Sequence, residues 1–313
     1  MPELSQHQPV MVREVLQALN VRPGGRYVDG TIDGGGHALA IMEQAEPGGA
    51  LLGIDRDPAA LNRAERRLER FGHRVRLERG DFADMQSICL EREFVPVQGI
   101  LLDLGLSTLQ LDDAERGFSF QREGPLDMRF DPDQQLAAAE IVNEYEEDAL
   151  ADVLWRFGEE RKSRRIARRI VGRRPLHTTK ELAKVVEEAV GGRVRRQSHP
   201  ATRTFQALRI ATNQELLSLD RALPQAYGLL GDLGRLAVLS YHSLEDRIVK
   251  TFFRRESRDC VCPPRQPACT CEHKAGLRPV GRGVARPALE EVAANPRSRS
   301  ARLRVAERLS VAV

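Results

Sequence analysis

Arg26-Tyr27-Val28-Asp29-Gly30-Thr31-Ile32-Asp33-Gly34-Gly35-Gly36-His37, and then Ala50-Leu51-Leu52-Gly53-Ile54-Asp55, is the stretch on which the reading of this chain turns. A short β-branched and aromatic run passes straight into a glycine-rich loop. Residues 38–44 read as a helix, Pro47-Gly48-Gly49 as a turn, and residues 50–54 as a second apolar strand ending on Asp55. Strand, glycine loop, helix, strand and acid make a βαβ unit suited to holding a nucleoside. Glycines let the backbone take positive φ and let a ligand approach without a Cβ in the way. The helix behind the loop directs unsatisfied N–H groups and a partial positive charge at whatever lies there. Asp55 follows Gly34 by 21 residues, a spacing that suits a carboxylate accepting from two ribose hydroxyls.

Dinucleotides and S-adenosylmethionine both use such units, and the loop alone leaves the two open. No register of Gly30, Gly34, Gly35 and Gly36 gives the G-x-G-x-x-G of a dinucleotide site. A nicotinamide oxidoreductase is therefore the disfavoured alternative.

Outward from this unit the same pattern repeats. Upstream, residues 10–19 place Val12, Val15, Leu16 and Leu19 at helical spacing before Pro23-Gly24-Gly25. Downstream, Asp57-Pro58 opens a helix with Leu61, Ala64 and Leu68 on one face. A third strand at 75–78 delivers Gly80-Asp81-Phe82, where an acid beside an aromatic could grip adenine. For Asp81 an ordinary helix cap is an equal alternative. A fourth strand at 99–102 is unbroken and apolar, as in strands covered on both faces, and ends on Asp103. Four strands that end at or near Asp29, Asp55, Asp81 and Asp103 place carboxylates where doubly wound sheets bind ligands.

Beyond Leu111 the strands stop. Residues 112–133 are polar and turn-rich, and helices are expected at 140–157, 159–171, 179–190 and 201–223. The sheet resumes at 236–240, followed by a helix with Ser243 as its N-cap, and a last strand is expected at 303–306. The expected organisation is a discontinuous sheet domain, 1–111 and 216–313, with a helical insert at 112–215 that is a candidate nucleic-acid-recognition domain.

The charges of the insert are sorted. Residues 140–152 carry six acids, whereas 156–174 carry nine Arg or Lys against two Glu. Arg161, Arg165 and Arg168 recur at helical spacing, and Arg193, Arg195, Arg196, Arg203 and Arg209 extend the basic character. Such a run reads equally as a solvated helix face or as a phosphate-binding surface. Aromatic residues are 5% of the chain, so nucleic-acid contact would rest on arginine more than on stacking.

The 313 residues, 41% apolar and 30% charged, allow a sizeable core at a net charge of +3. No signal-like segment and no long apolar run is seen, so a cytoplasmic protein without membrane contact is expected. Cys89 reads as a small buried apolar residue. The other cysteines form Cys260-Val261-Cys262 and Cys269-Thr270-Cys271 in a loop containing Pro263, Pro264 and Pro267. Four soft ligands so close could make a tetrahedral zinc site, but the pairs are C-x-C, not the C-x-x-C of zinc ribbons; a Pro-rich loop carrying reduced thiols is the alternative, and no metal ligand is assigned.

With these residues in view, the chain resembles the bacterial 16S ribosomal RNA (cytosine-N4)-methyltransferase family along almost its whole length. The matching stretches are His7 to Met11, Tyr27 to His37, Gly53 to Pro58, Leu101 to Gly105, Arg116 to Phe120, Gly124 to Arg129, His199 to Ala207, His242 to Arg247 and Asn295 to Ser300. The resemblance implies an α/β fold, a Rossmann-like class I S-adenosylmethionine-dependent methyltransferase sheet with an inserted all-helical domain. It implies S-adenosyl-L-methionine as cofactor and N4-methylation of a cytidine in the decoding region of 16S rRNA. The partner implied is 16S rRNA in the small ribosomal subunit, and a homodimer is one assembly left open. Cofactor contacts would fall on Gly35, Gly36, His37, Asp55, Phe82, Asp103 and Gln110, with Asp103 the candidate catalytic residue. Alternatives are a methyltransferase for another RNA or a protein acceptor, or a non-catalytic RNA-binding assembly factor.

Two departures from the family pattern stand out. Asp33 replaces a glycine in D-G-T-x-G-x-G-G-H, which either weakens cofactor binding or leaves Gly34 to make the turn. Ser107-Thr108-Leu109-Gln110 replaces S-S-P-Q, loosening a loop that proline would stiffen.

Overall fold

The computed structural model describes residues 9–191, 199–263, 266 and 268–310. His7, Gln8, Arg193, Arg195, Arg196, Pro264 and Pro267 lie outside the described residues. The chain divides into two compact units, Met1–Gly105 with Leu216–Val313, and Leu106–Glu215.

The first unit is built on strands β1 (Arg26–Asp29), β2 (Ala50–Asp55), β3 (Val75–Arg79), β4 (Val97–Asp103), β5 (Leu230–Ser240), β6 (Leu277–Pro279) and β7 (Arg302–Arg308). They form one sheet in the order β3-β2-β1-β4-β5-β7-β6. The first five strands run parallel, and β7 is antiparallel to both of its neighbours. This is the Rossmann-like class I arrangement, and the strand order reverses between β1 and β4. Loops that leave adjacent strands toward opposite sides open a crevice at that point.

Both faces are covered because both are apolar. On one face α1 (Val12–Leu19), α2 (Gly36–Gln44) and α3 (Pro58–Leu68) bury Val15, Leu19, Ile41, Met42, Ala64 and Leu68 against Tyr27, Leu51 and Leu101. On the other, α4 (Met85–Glu91), the body of α11 (Glu215–Leu229) and α12 (Ser243–Glu256) bury Met85, Leu223 and Phe252 against Val28, Ile100 and Val238. Truncating one fully buried leucine such as Leu101 to alanine should cost roughly 2–5 kcal/mol.

Local signals fix the helix ends. Asp57 caps α3, its Oδ1 accepting from the Ala59 amide at 2.9 Å with Pro58 at the first helical position. The cap of α12 is His242, not Ser243, which is the first helical residue; His242 Nδ1 accepts from the Glu245 amide at 3.4 Å. Asp246 on α12 then accepts from Arg302 at 3.0 Å and from Arg304 at 2.7 Å, fastening the helix to β7.

The second unit comprises α5 (Thr108–Asp112), α6 (Ala138–Glu144), α7 (Glu147–Gly158), α8 (Ser163–Val171), α9 (Thr179–Val190) and α10 (Thr202–Asn213). Its own core contains Ile141, Leu150, Leu154, Ile166, Ile170, Leu182, Val186 and Leu208. The single helix expected at 140–157 is two, because Tyr145 and Glu146 are extended between α6 and α7. The one expected at 201–223 is also two, since Gln214 takes φ +52° between α10 and α11. The turn-rich segment before α6 is held by Asn213, whose side chain accepts from Phe130 N and donates to Met128 O, both at 2.7 Å. Among the described residues no helix is long and apolar enough to cross a membrane.

Candidate active site

The carboxyl ends of β1, β2 and β4 each deliver an aspartate to the crevice side of the sheet, and the glycine loop threads between them. Asp29 closes β1 and is buried, its Oδ1 accepting from the Thr31 amide at 3.1 Å. The Thr31 hydroxyl oxygen in turn accepts from the Asp103 amide at 2.6 Å, which links the ends of β1 and β4. Asp55 closes β2, with its two oxygens accepting from the amides of Asp33 and Asp57 at 2.9 Å each. That clamp ties the loop to the strand end, and each oxygen keeps a lone pair for a further donor.

Asp33 itself takes φ +44°, the left-handed region that glycine occupies without strain, and Gly34 is not at positive φ. Of the two outcomes left open by the sequence, Gly34 therefore does not make the turn. The Asp33 carboxylate faces Arg63 of α3 at 3.7 Å, so the acid is paired within the protein. Gly35 follows at φ +74°, and a Cβ there would stand 3.2 Å from Ala64 Cα. Only glycine lets the loop lie so close to α3. At the start of α2 the amides of Gly36, His37 and Ala38 meet no acceptor among the described residues. They form the open, electropositive end of a nine-residue helix and can receive an anionic group.

His37 is buried, its Nε2 is 2.8 Å from the Val10 carbonyl, and its Nδ1 lies 3.4 Å from Asp103 Oδ2. Tyr241, just past β5, donates its hydroxyl to Asp103 Oδ1 at 2.8 Å. The Asp103 side chain still exposes 21% of its surface, which leaves it within reach of a substrate. Burial pushes the carboxyls of Asp29 and Asp103 up to about 7 and that of Asp55 up to about 6, and it holds the His37 imidazole below its usual range. Three carboxyls poised near neutrality around one loop form a site that gains by receiving a cation.

Phe82 is half-buried and packs into the space that Gly30 leaves free; a Cβ on Gly30 would stand 3.2 Å from Phe82 Cβ. Asp81 acts as the cap that the sequence offered as one of its two readings. It caps the turn at Ala83 N at 3.0 Å, pairs with Arg56 and accepts from the Ser218 hydroxyl at 2.8 Å. Oδ2 is thus occupied by Arg56 and Ser218, while Oδ1 holds the cap.

Gly35, Gly36, His37, Asp55, Phe82 and Asp103 thus belong to the first unit. Gln110 belongs to the second, where it closes a capping box with Ser107: its amide donates to Ser107 Oγ at 3.1 Å, and its Oε1 accepts from Ser107 N at 3.2 Å. The capping box gives the loop after Gly105 a hydrogen-bonded stop in place of the missing proline. Tyr241, Thr31 and Arg63 were not singled out from the sequence. Tyr241 had a signal, as the first residue after a strand that resumes the sheet.

In the insert, Arg161 precedes α8 and so does not share its helical face. Arg168 pairs with Glu147 at 3.3 Å, Arg169 with Glu188 at 2.6 Å, Arg173 with Glu188 at 3.4 Å, and Arg209 makes a two-pronged pair with Glu215 at 2.7 and 2.8 Å. Arg161, Arg164 and Arg165 are exposed and have no ion pair among the described residues.

The chain has named relatives over nearly its whole length. Ribosomal RNA small subunit methyltransferase H of Dehalococcoides mccartyi is 57% identical over 303 residues, covering 97% of this chain and 86% of that protein. The protein of the same name from Thermomicrobium roseum is 51% identical over 312 residues, covering 99% and 95%. The sequence profile of the MraW methylase family matches residues 4–309, the sheet unit and the helical insert alike, and the chain therefore belongs to that family.

Proposed function

We propose that this chain methylates N4 of a cytidine in the decoding region of 16S rRNA, with S-adenosyl-L-methionine as cofactor. The observation that carries the reading is the ring of Asp29, Asp55 and Asp103 around a glycine loop whose helix presents three open amides. These groups fit the cofactor's parts: amides of Gly36, His37 and Ala38 for the methionine carboxylate, Asp55 for the ribose hydroxyls, Phe82 for the adenine face, and the poised carboxyls for its positive charge. Gln110 is assigned to the same cofactor by position in the family motif. When bound, the sulfonium supplies an activated methyl group.

The protein's remaining task is orientation and acceptance of a proton's worth of charge. Cytosine N4 is a weak nucleophile because its lone pair is delocalised into the ring. Asp103, gripped by Tyr241 and facing His37, accepts a hydrogen bond from the N4 amino group and fixes the lone pair toward the methyl carbon. An exocyclic amine reaches such a crevice only from an unstacked nucleotide. The insert holds the RNA: Arg161, Arg164 and Arg165 are free to meet phosphates, and Trp155, the only tryptophan, is 56% exposed on α7 and available for stacking.

The test is methyl transfer to small ribosomal subunits compared with naked 16S RNA, followed by nucleoside identification. N4-methylcytidine formed in subunits supports the proposal. A different methylated nucleoside, or methylated protein, refutes it.

A further inference from the structure

The sequence motif that the methyl-transfer site does not use is the double Cys-x-Cys in the connection between α12 and β6. The four sulfurs of Cys260, Cys262, Cys269 and Cys271 all lie within 4.8 Å of one another. Cys269 Sγ is 3.6 Å from Cys271 Sγ, and Cys271 Sγ is 3.9 Å from Cys260 Sγ. We infer that these four thiolates hold a single structural zinc ion.

Three observations support a built site over a chance meeting of thiols. The first is distance. Four sulfurs at about 2.3 Å from a tetrahedral zinc stand about 3.8 Å from each other, between the two separations seen. Sulfurs this close surround one ion; an iron–sulfur cluster would hold them further apart.

The second is reciprocity between the two halves of the motif. The amide of Val261, the middle residue of the first pair, donates to Cys271 Sγ at 3.4 Å. The amide of Thr270, the middle residue of the second, donates to Cys262 Sγ at 3.5 Å. Each half thus turns a backbone donor onto the second cysteine of the other, as thiolates that ligate a metal require of their surroundings.

The third is support from outside the cluster. The ends of the connection are tied together by Gly276 N donating to Glu256 O at 2.9 Å and Ala275 N to Asp259 Oδ1 at 3.2 Å. His273 is engaged elsewhere, Nδ1 being 2.8 Å from Arg258 O and Nε2 3.3 Å from Glu256 Oε2. The donor set is therefore four sulfurs, a closed set that favours zinc and leaves no position for a substrate. Zinc would anchor the chain entering β6, the short outermost strand, in a region where the described core supplies only Leu277.

The experiment uses the full-length chain expressed with zinc in the medium and purified under reducing conditions. Elemental analysis should find one equivalent of zinc, and dialysis against a chelator followed by cobalt(II) should give the intense visible bands of a tetrahedral tetrathiolate site. Cys260→Ser/Cys271→Ser should lose the zinc while keeping S-adenosylmethionine binding, since the methyl-transfer site draws on none of these residues. Should the variant fail to fold, thiol titration of the wild type decides: zinc-loaded protein should shield four thiols that become reactive once the ion is chelated. Absence of zinc with four freely reactive thiols, or zinc retained in the double variant, would overturn the inference.

Discussion

His37 Nδ1 stands 3.4 Å from Asp103 Oδ2, while Nε2 of the same ring lies 2.8 Å from the carbonyl of Val10. A carbonyl can only accept, so Nε2 carries a proton and a neutral ring presents a bare lone pair to Asp103. The contact is favourable when one proton lies between the two groups. Burial raises Asp103 to about 7 and lowers His37, so the proton resides on the carboxyl below neutrality, as an acid donating to imidazole.

The rate of methyl transfer should report this. Asp103 can accept from a cytosine amino group only as a carboxylate, and its ionised fraction grows as pH rises through about 7. The rate should therefore climb up to about tenfold per pH unit below that point and level off above it. Tyr241 donates to Oδ1 and lowers the Asp103 pKa, so Tyr241→Phe should move the rise to higher pH. Single-turnover rates across this range on small subunits provide the check. A flat profile in the wild type would remove Asp103 from the chemistry.

Asp103→Asn retains the shape but not the charge. Methyl transfer should fall about 100- to 10,000-fold. Cofactor affinity, measured by calorimetry, separates a catalytic role from one in binding: an unchanged rate at saturating cofactor would leave Asp103 as a ligand only.

Asp29 is buried beneath the loop and accepts from Thr31, and its carboxyl is raised to about 7. A carboxyl whose folded pKa exceeds its unfolded value of 3.8 costs nothing below that value. The cost grows as pH rises and is complete above about 7. Asp29→Asn keeps an oxygen acceptor and removes the cost, so its gain in stability should be about 2–3 kcal/mol larger at pH 8 than at pH 5. Urea unfolding at the two pH values measures that difference, and an equal effect at both would show that the carboxyl is not strained.

These acids were legible in the sequence for a physical reason. Asp29, Asp55 and Asp103 terminate apolar runs, and a run buried on both faces can admit a charge only at its end. What escaped notice lacks such a pattern. Leu277-Arg278-Pro279 is too short to show a period and is a strand only because β7 offers it partners. His242 caps α12 through a ring nitrogen, an uncommon use that no spacing announces. The breaks at Tyr145 and Gln214 interrupt sequences whose apolar spacing continues through them. For Asp33 the sequence left two outcomes open, because its partner, Arg63, lies 30 residues away on another element.

The Asp33–Arg63 pair can be separated by a mutant cycle. Arg63→Ala leaves an acid unpaired beside the loop proposed to receive the methionine carboxylate, and should weaken S-adenosylmethionine binding by about fivefold, in line with ~1 kcal/mol for a partly buried ion pair. Asp33→Gly relieves the left-handed backbone and should not weaken binding. The double variant should recover the affinity lost in Arg63→Ala. If both single variants and the double bind equally, the pair has no bearing on the cofactor.

Arginines of the insert that lack partners should differ from those already paired. Arg164 and Arg165 are exposed without an ion pair among the described residues, whereas Arg169 is held by Glu188 at 2.6 Å. A phosphate contact releases counterions, so each one lost lowers the slope of log affinity against log salt by about one. Arg164→Ala/Arg165→Ala should weaken binding to 16S RNA and reduce that slope by about two. Arg169→Ala should change it far less, because its guanidinium would have to leave a carboxylate before meeting a phosphate. Equal slopes for the wild type and the double variant would mean that the RNA lies on another face of the insert, with α8 serving only to close its core.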